Sequence, residues 1–398
     1  MPRAPARRWT LSLLLGACGG GEADPHTGTT GTGEAPASTL ATTSPTGATG
    51  ESASSSGTAS GESTAPTTTD TPADTSTGDP PVGTLEVYWI DTEGGAATLV
   101  VAPEGPLMLI DAGFPGDRDA DRIAEVVQGE LGRDTIELLV VTHYHVDHVG
   151  GVPDLASRVT IDAFWDHGDS IEAGGGQGLS LWQDYLAVAD GRRTVVAAGQ
   201  AREFGGLQLD IVASDGTVVD APLPGAGAAN PACDGAPSMD PQTDENPRSV
   251  GMVIRFGAFD LLDLGDLTWS LEDQLACPVD RIGPIDLYQT THHGLNTSGA
   301  IQLVHAIDPV VAVMNNGPRK GGSPSAFEHV VSAPGSPDLW QLHRALETDL
   351  EHNAPDDLTA NFEEGQGDAG AWIHARVESD GTFVVTNGRN GHARYASR

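Results

Sequence analysis

A short histidine-rich segment contains the residues of this sequence that are best suited to bind metal. Residues 142–151 follow an apolar run and read Thr-His-Tyr-His-Val-Asp-His-Val-Gly-Gly. Imidazole nitrogens and carboxylate oxygens are ligands of zinc and of other first-row divalent ions. His143 and His145 are two residues apart, so in an extended loop their side chains point the same way. Asp147 and His148 can then reach a second ion nearby.

Such a ligand set predicts hydrolytic chemistry. Two divalent ions about 3.5–4 Å apart can activate a water molecule and clamp both oxygens of a displacement. We therefore expect two Zn²⁺ ions per chain, with other divalent metals as alternatives, and we expect Asp147 both to bind metal and to orient the attacking water. The competing interpretation is a surface turn that binds nothing specific. Four chelating residues at this spacing, directly after a buried strand, argue against it.

The segment resembles the HxHxDH signature of the metallo-β-lactamase superfamily, and further residues match that family's pattern in the same order. Asp111 matches an aspartate that supports the histidine loop, and Asp266 matches the aspartate that bridges both metals. The pair His292-His293 before Gly294 matches the late histidine ligand. The resemblance implies an α/β fold, a four-layer αββα sandwich. It also implies a metal set comprising His143, His145, Asp147, His148, His167, Asp266 and His293.

Two of these assignments have alternatives. The family supplies a third histidine to the first metal, and His167 is the only histidine between His148 and Asp266. It follows an apolar run, as a ligand should, but it comes early, and a supporting or surface role is the alternative. Of the late pair, His293 is favoured as the ligand because family ligands often directly precede Gly or Ser. His292 is then expected to contact the substrate and to act in catalysis with Asp147.

The later motifs look most like the soluble hydrolase domain of ComEC-type DNA-uptake channels and related phosphodiesterases. This resemblance is carried by Asn246, Ser249, Asp266 and the run at 292–294, with an echo at 316–318, and it covers about residues 84–385. It implies hydrolysis of a phosphodiester by a metal-activated water. Two other classes stay open. One is a lactonase-like or β-lactamase-like hydrolase of carbon–oxygen or carbon–nitrogen bonds, and the other is a non-enzymatic surface binding protein.

Alternating strand and helix patterns surround these motifs. Short apolar runs between turn residues predict strands at 85–90, 97–102, 107–110, 136–141, 159–164, 207–212, 250–256, 259–264, 285–289, 310–313, 372–377 and 382–385. Helical spacing of apolar residues predicts helices at 117–131, 179–189, 298–306 and 338–346. Residues 220–247 and 323–325 are expected to be loops. This order indicates one layered α/β domain over residues 84–390.

The first 83 residues are expected to direct the export of the protein and to tether it. Residues 1–18 join a basic start to an apolar stretch too short to span a bilayer, which is typical of a signal peptide. Residues 15–18 resemble a bacterial lipobox and predict a membrane-attached lipoprotein with its lipid on Cys18. An ordinary signal peptide is the alternative, and the Arg7-Arg8 pair leaves the export route open. Residues 19–83 are rich in Gly, Ser, Thr, Ala and Pro and predict a disordered linker.

Charge and cysteine content restrict the partners of this chain. Its 398 residues carry a formal net charge of −36, and Lys320 is the only lysine. Strong nucleic-acid binding depends on cations that displace counterions, so it is not expected here. An acidic chain suits an exported protein at the periplasmic or cell-surface side, acting on a small-molecule or phosphodiester substrate. Cys233 and Cys277 either form a disulfide in an oxidising compartment or stay free.

Overall fold

The computed structural model describes residues 83–398. The predicted signal peptide, the predicted lipid attachment at Cys18 and the predicted linker up to residue 82 lie outside the described residues. Within residues 83–398, no helix is long and apolar enough to cross a membrane.

Strands and helices alternate along the described part of the chain. The strands are β1 (Leu85–Trp89), β2 (Thr98–Val101), β3 (Leu107–Ile110), β4 (Thr135–Val140), β5 (Thr160–Asp166), β6 (Arg193–Val195), β7 (Ala201–Phe204), β8 (Leu207–Ser214), β9 (Thr217–Val218), β10 (Gly251–Phe256), β11 (Phe259–Asp263), β12 (Leu287–Gln289), β13 (Val311–Met314), β14 (Asp338–His343), β15 (Thr359–Asn361), β16 (Ile373–Val377), β17 (Phe383–Asn387) and β18 (Ala393–Ala396). The α-helices are α1 (Asp117–Ala124), α2 (Val146–Val149), α3 (Val152–Ala156), α4 (Gly176–Ala189), α5 (Trp269–Ala276), α6 (Ile301–Ile307) and α7 (Pro324–Val331). Residues Glu125–Glu130 continue α1 as a π-helix.

These strands form two sheets, each with a parallel half. The first sheet has the order β18-β17-β16-β1-β2-β3-β4-β5-β6, and its strands β3 to β6 run parallel. The second has the order β15-β14-β13-β12-β11-β10-β8-β7, with β9 paired to β8, and its strands β11 to β15 run parallel. The carboxyl ends of parallel strands meet at one edge of a sheet, so each sheet has one edge at which the following loops gather.

Alternation of side chains along the strands produces four layers. Val87 and Trp89 of β1 pack in the same buried cluster as Met252 of β10, so this cluster lies between the sheets. Tyr88, which points the other way, packs with side chains of α1, α3 and α4. Val253 of β10 likewise packs with α5, α6 and α7 on the outer face of the second sheet. The predicted αββα sandwich is therefore confirmed.

A buried polar contact ties the two sheets together beside the loop that carries His292 and His293. Gln289 of β12 accepts hydrogen bonds from Trp89 Nε1 at 2.8 Å and from Thr98 Oγ1 at 2.7 Å. A buried amide oxygen without partners destabilises a fold, so these contacts favour one placement of the sheets. They fix the end of β12 relative to β1 and β2.

Two of the element predictions are wrong. Residues 338–346 were expected to be helical, but Asp338–His343 form strand β14, paired in parallel with β13. Trp340 and Leu342 face the core between the sheets while Leu339 faces the helices, so the apolar residues serve two opposite faces. Residues 323–325 were expected to be a loop, but Pro324 begins α7. Proline is well suited to a first helical position because its missing N–H needs no partner there. Strand β18 extends the first sheet to Ala396.

A disulfide anchors the acidic loop. Residues 220–247 contain only short 3₁₀ turns, as the loop prediction requires, and Cys233 in this loop bonds to Cys277 after α5. The sequence leaves a disulfide and free thiols as alternatives for these two cysteines, and the structure has the disulfide. The bond closes a loop with a sequence separation of 44 residues.

We predict that replacing both Cys233 and Cys277 by Ser lowers the free energy of unfolding by about 2–4 kcal/mol, because the unfolded chain regains loop entropy. Urea denaturation followed by circular dichroism measures the change. Wild-type protein under reducing conditions is the matched control and should unfold at the same urea concentration as the double variant. An oxidised wild type that unfolds together with the variant contradicts the prediction.

Candidate metal centre

The predicted functional residues follow the carboxyl ends of strands in both sheets. In the first sheet, Asp111 follows β3, the loop of residues 143–148 follows β4, and His167 follows β5. In the second sheet, Asp266 comes shortly after β11, and the pair at 292–293 comes shortly after β12. Since β3 to β5 and β11 to β13 are parallel, each group gathers at one sheet edge.

Four buried side chains, two from the loop after β4 and two from the second sheet, converge on one centre. They are Asp147, His148, Asp266 and His293, and one ligand atom from each lies within 4.8 Å of the others. His148 Nε2 lies 3.2 Å from His293 Nε2 and 3.2 Å from Asp266 Oδ2. Asp147 Oδ2 lies 3.2 Å from both of these ring nitrogens. We call these four residues the ligand cluster.

Neighbouring acceptors fix the tautomers of both imidazoles. His148 Nδ1 lies 2.7 Å from Asp111 Oδ2, and His293 Nδ1 lies 3.3 Å from the carbonyl oxygen of Asn315. A carboxylate and a carbonyl only accept hydrogen bonds, so both Nδ1 atoms donate. In a neutral imidazole this leaves Nε2 with a lone pair. When both rings are neutral, two such lone pairs face each other in the ligand cluster, and a bound cation or a proton on one of the rings is needed to hold them there.

His143 and His145 form an adjoining pair of ring nitrogens. His143 Nε2 lies 3.1 Å from His145 Nδ1 and 3.9 Å from Asp266 Oδ2. Asp266 therefore faces this pair as well as the ligand cluster, which is the position that a bridging carboxylate needs. Ser249 supports the arrangement: its Oγ accepts from the backbone N–H of Asp266 at 3.2 Å and lies 3.4 Å from His143 Nδ1.

The electrostatics of the ligand cluster match a cation site. Burial would raise the pKa of Asp147 and of Asp266, but the facing imidazoles, chiefly His148, hold both pKa values well below the ordinary one. Burial would lower the pKa of His148, yet the carboxylates of Asp266, Asp147 and Asp111 raise it well above its ordinary value. The buried acids thus draw positive charge into the site, and a divalent ion supplies that charge directly.

The donor set fits a metal centre of the predicted kind. It offers imidazole nitrogens and carboxylate oxygens, the ligands that zinc accepts, with a hydrogen-bonded acceptor behind each cluster imidazole. One ion could be held by the four residues of the ligand cluster, Asp147, His148, Asp266 and His293. A second ion could be held by His143 and His145 together with Asp266, which both ions would share.

The backbone of the site is strained: Asp111, His292 and His293 have φ values of 60°, 55° and 56°. Non-glycine residues rarely adopt such values, and they are often found at functional sites.

His167 is not among the side chains that meet at the ligand cluster. Its Nε2 lies 3.0 Å from Glu245 Oε2, in a fully buried pair. Glu245 also accepts from Ser170 Oγ and from the backbone N–H of Ile171, both at 2.7 Å. His167 Nδ1 has no hydrogen-bond partner in the described part of the chain. Ligation through this atom stays a prediction, while the other nitrogen belongs to the pair with Glu245.

His292 lies beside the ligand cluster without belonging to it. Its Nε2 is 3.3 Å from Asp266 Oδ2, and its Nδ1 is 3.2 Å from both Ser298 Oγ and Thr297 Oγ1. Burial lowers the pKa of His292 to about 4, so the ring is neutral near pH 7. A neutral imidazole at the rim of the cluster can exchange a hydrogen bond with a bound molecule.

In a second group of potential metal ligands, the charges of the carboxylates are balanced by other side chains of the protein. Asp91, His343 and Asp368 lie together, buried or nearly so. Arg122 pairs with Asp91 at 2.7 Å and with Asp368 at 2.8 Å, so the two carboxylates share a guanidinium. His343 Nε2 lies 2.8 Å from Asp91 Oδ1. These contacts make the group a charge network that joins α1, β14 and the segment before β16 rather than a metal site.

One residue of the site is not among the site residues that were predicted from the sequence. Lys320 Nζ donates a hydrogen bond to Asp147 Oδ2 in the ligand cluster. Two signals pointed to it: it is the only lysine of the chain, and it lies two residues after the 316–318 run that resembles a family motif. Neither signal shows that the loop after β13 reaches the ligand loop after β4, since that contact joins residues 173 positions apart.

The fold and this convergence of histidines and aspartates define a metal-binding αββα protein. Residues 90–229 match a family model described as the metallo-beta-lactamase superfamily, and this span contains Asp111 and the ligand loop after β4. Within this span, the chain is similar to the metallo-β-lactamase superfamily.

Relatives and solved structures are similar to parts of the chain. A UPF0173 metal-dependent hydrolase from Cupriavidus necator is 31% identical over 135 residues, which cover 32% of this chain and 36% of that protein. Another from Cupriavidus metallidurans is 28% identical over 33% of this chain and 40% of that protein. The chain thus spans well under half the length of these relatives. Among solved structures, the metallo-beta-lactamase fold protein YhfI from Bacillus subtilis has a TM-score of 0.41 at 11% identity, covering 65% of this chain and 96% of that chain.

Replacing each of the two adjacent histidines is expected to have a different effect. His293→Ala should lower the metal content of the purified protein by at least about one ion per chain, because Nε2 of His293 faces the ligand cluster. His292→Ala should keep the wild-type metal content and lower kcat by about 100-fold or more, the size of effect expected for a lost proton-transfer or polarising group. Elemental analysis and turnover of a chromogenic substrate measure the two effects.

His352→Ala is the matched control for these variants, because His352 pairs only with Glu328 and Asp349 at the surface. It should change neither metal content nor turnover. Loss of metal from the His292 variant with full retention in the His293 variant would reverse the assignment.

Proposed function

We propose that this protein is a metal-dependent hydrolase that acts on a small phosphodiester through a metal-activated water. The single observation that carries the hydrolase assignment is the facing pair of His148 Nε2 and His293 Nε2, enclosed by Asp147 and Asp266. Bound divalent ions activate a water molecule and neutralise charge on the reacting group. The relatives named as metal-dependent hydrolases support the same assignment for the part of the chain that they match.

The chain's own residues then have distinct tasks. Asp111 and the carbonyl of Asn315 hold the two imidazoles in their tautomers. Asp147 accepts hydrogen bonds at the cluster, so one of its oxygens can orient the attacking water. His292, neutral and beside Asp266, is placed to give a hydrogen bond to the leaving oxygen of the substrate. Exclusion of bulk water from this buried site strengthens each of these electrostatic contacts.

Phosphodiester chemistry is favoured by the subgroup pattern and by the charges of the site. Asn246 and Ser249 resemble residues of the ComEC-type sequence pattern, and Ser249 contacts both His143 and Asp266. Phosphoryl transfer suits two ions because charge develops on both the attacking and the leaving oxygen. A lactone or β-lactam hydrolase needs the same ligands, so substrate profiling has to separate the two classes.

The substrate is expected to be small and to carry little net negative charge. The net charge of −36 slows the approach of long polyanions such as DNA.

We predict chelator-sensitive hydrolysis of bis-nitrophenyl phosphate by the metal-loaded protein. Long double-stranded DNA should be cut much more slowly, and the difference should narrow at higher salt because repulsion is screened. Release of nitrophenol and gel assays measure the two rates, with parallel assays on lactones and β-lactams. Opening of a lactone or β-lactam without any phosphodiester turnover would contradict the proposed substrate class.

For the location, we propose an exported lipoprotein attached through Cys18. The lipobox-like residues 15–18 and the linker composition support it, and so does the Cys233–Cys277 disulfide, since such bonds persist in oxidising compartments. Wild-type protein should partition into the detergent phase of a detergent extraction, and Cys18→Ser should release it into the aqueous phase. Aqueous wild-type protein that retains Met1 would overturn the proposal.

A further inference from the structure

Lys320 is placed in the ligand cluster although the mechanism above does not use it. Its ammonium group donates to Asp147 Oδ2, and its side chain remains about one-third exposed. Among the described residues, Lys320 is the one Lys or Arg whose side chain pairs with a carboxylate of the ligand cluster. Arg319 beside it pairs with Glu364 and Glu347 instead. The ammonium of Lys320 therefore combines contact with a cluster carboxylate and partial exposure to solvent.

Close backbone packing fixes this position. The backbone N–H of Gly322 donates to the carbonyl oxygen of His293 at 3.0 Å, and a Cβ at Gly321 would lie 2.0 Å from that oxygen. A Cβ at Gly94 would lie 2.9 Å from Lys320 Cβ. Both glycines have positive φ values, +80° and +103°, which L side chains rarely adopt. The loop therefore rests directly on a cluster histidine and on the turn before β2, which holds Lys320 at the cluster.

The residue type at this position is also informative. Apart from the histidines, all other basic residues of the chain are arginines. The one lysine side chain lies beside Asp147 of the ligand cluster. An ammonium is a compact charge with three donors, whereas a guanidinium is a broad planar fork. A compact donor can contact a cluster carboxylate and an incoming oxygen anion from the same place.

We propose that Lys320 binds a non-bridging oxygen of the substrate's phosphoryl group and so orients the anion for attack. This inference rests on the proposed phosphodiesterase function. With divalent ions bound, Asp147 would be one of their ligands, and the N–H donors of Lys320 that Asp147 does not accept would be available to the substrate. In a chain with a net charge of −36, this contact also supplies local positive charge that attracts a phosphodiester anion.

The first test is kinetic and compares substrates of different charge. In metal-loaded protein, Lys320→Gln should lower kcat/KM for bis-nitrophenyl phosphate about 10- to 100-fold, the range for a lost charged hydrogen bond. A neutral aryl phosphotriester should change less than about threefold, because it has no anionic oxygen for the ammonium to bind. Lys320→Arg should recover part of the loss, and Arg319→Gln, the neighbouring cation, should behave as wild type. Metal content is measured for every variant, and equal losses for both substrates would overturn the inference.

The second test needs no turnover and uses the fact that the chain has one lysine. Acetylation of Lys320 by acetic anhydride is followed by mass spectrometry of the peptide that contains it. In metal-loaded wild-type protein, millimolar inorganic phosphate should slow this acetylation several-fold, and chloride at equal ionic strength should not. An acetylation rate that phosphate leaves unchanged would overturn the inference.

Together the two tests separate the inference from the function on which it rests. Protein that does not hydrolyse the diester but is protected by phosphate retains the anion site and loses the proposed function. If the protein hydrolyses the diester, but phosphate does not protect Lys320 and Lys320→Gln does not alter the rate, the proposed function is retained and the inference is wrong.

Discussion

The constraint on which this structure depends is a buried contact of 3.2 Å between two imidazole nitrogens, Nε2 of His148 and Nε2 of His293. Asp111 and the carbonyl of Asn315 occupy the other nitrogen of each ring, so neither His148 nor His293 can turn its donor inward while it is neutral. Asp147 and Asp266 add two carboxylates to the same buried space. Such an arrangement is unfavourable without a cation. The need for a positive charge therefore follows from hydrogen bonding alone, before any likeness to other proteins is considered.

The two sheets are organised around this requirement. His148 comes from the first sheet and His293 from the second, so a cation shared by them would join the edges of the two sheets. Buried contacts of Gln289 with Trp89 and Thr98 hold the same edges in register a few residues before the late histidines. Ser249 ties Asp266 to His143, which couples the ligand cluster to the adjoining histidine pair. Packing between the sheets thus positions ligands that no single segment of the chain could bring together.

Much of this could be predicted from the sequence because the ligands lie at strand ends and in a short, dense motif. The loop of residues 143–148 was found in that way, Asp266 and His293 were found through their resemblance to the family's pattern, and short apolar runs between turn residues predicted most of the strands. The errors have physical causes. Residues 338–343 carry apolar side chains on both faces of a strand, which resembles helical spacing over so short a length. Lys320 and the pairing of His167 with Glu245 depend on contacts between residues 173 and 78 positions apart, and local patterns do not encode these contacts.

The central claim is that His148 and His293 are brought together to share a metal ion with Asp147 and Asp266. Anomalous diffraction at the zinc edge, from crystals of the full chain grown with zinc, tests it most directly. The account predicts a strong peak within bonding distance of both Nε2 atoms, and a second peak beside His143 and His145, with Asp266 between the two. Crystals that contain zinc at surface histidines but show no peak between His148 and His293 would contradict the account.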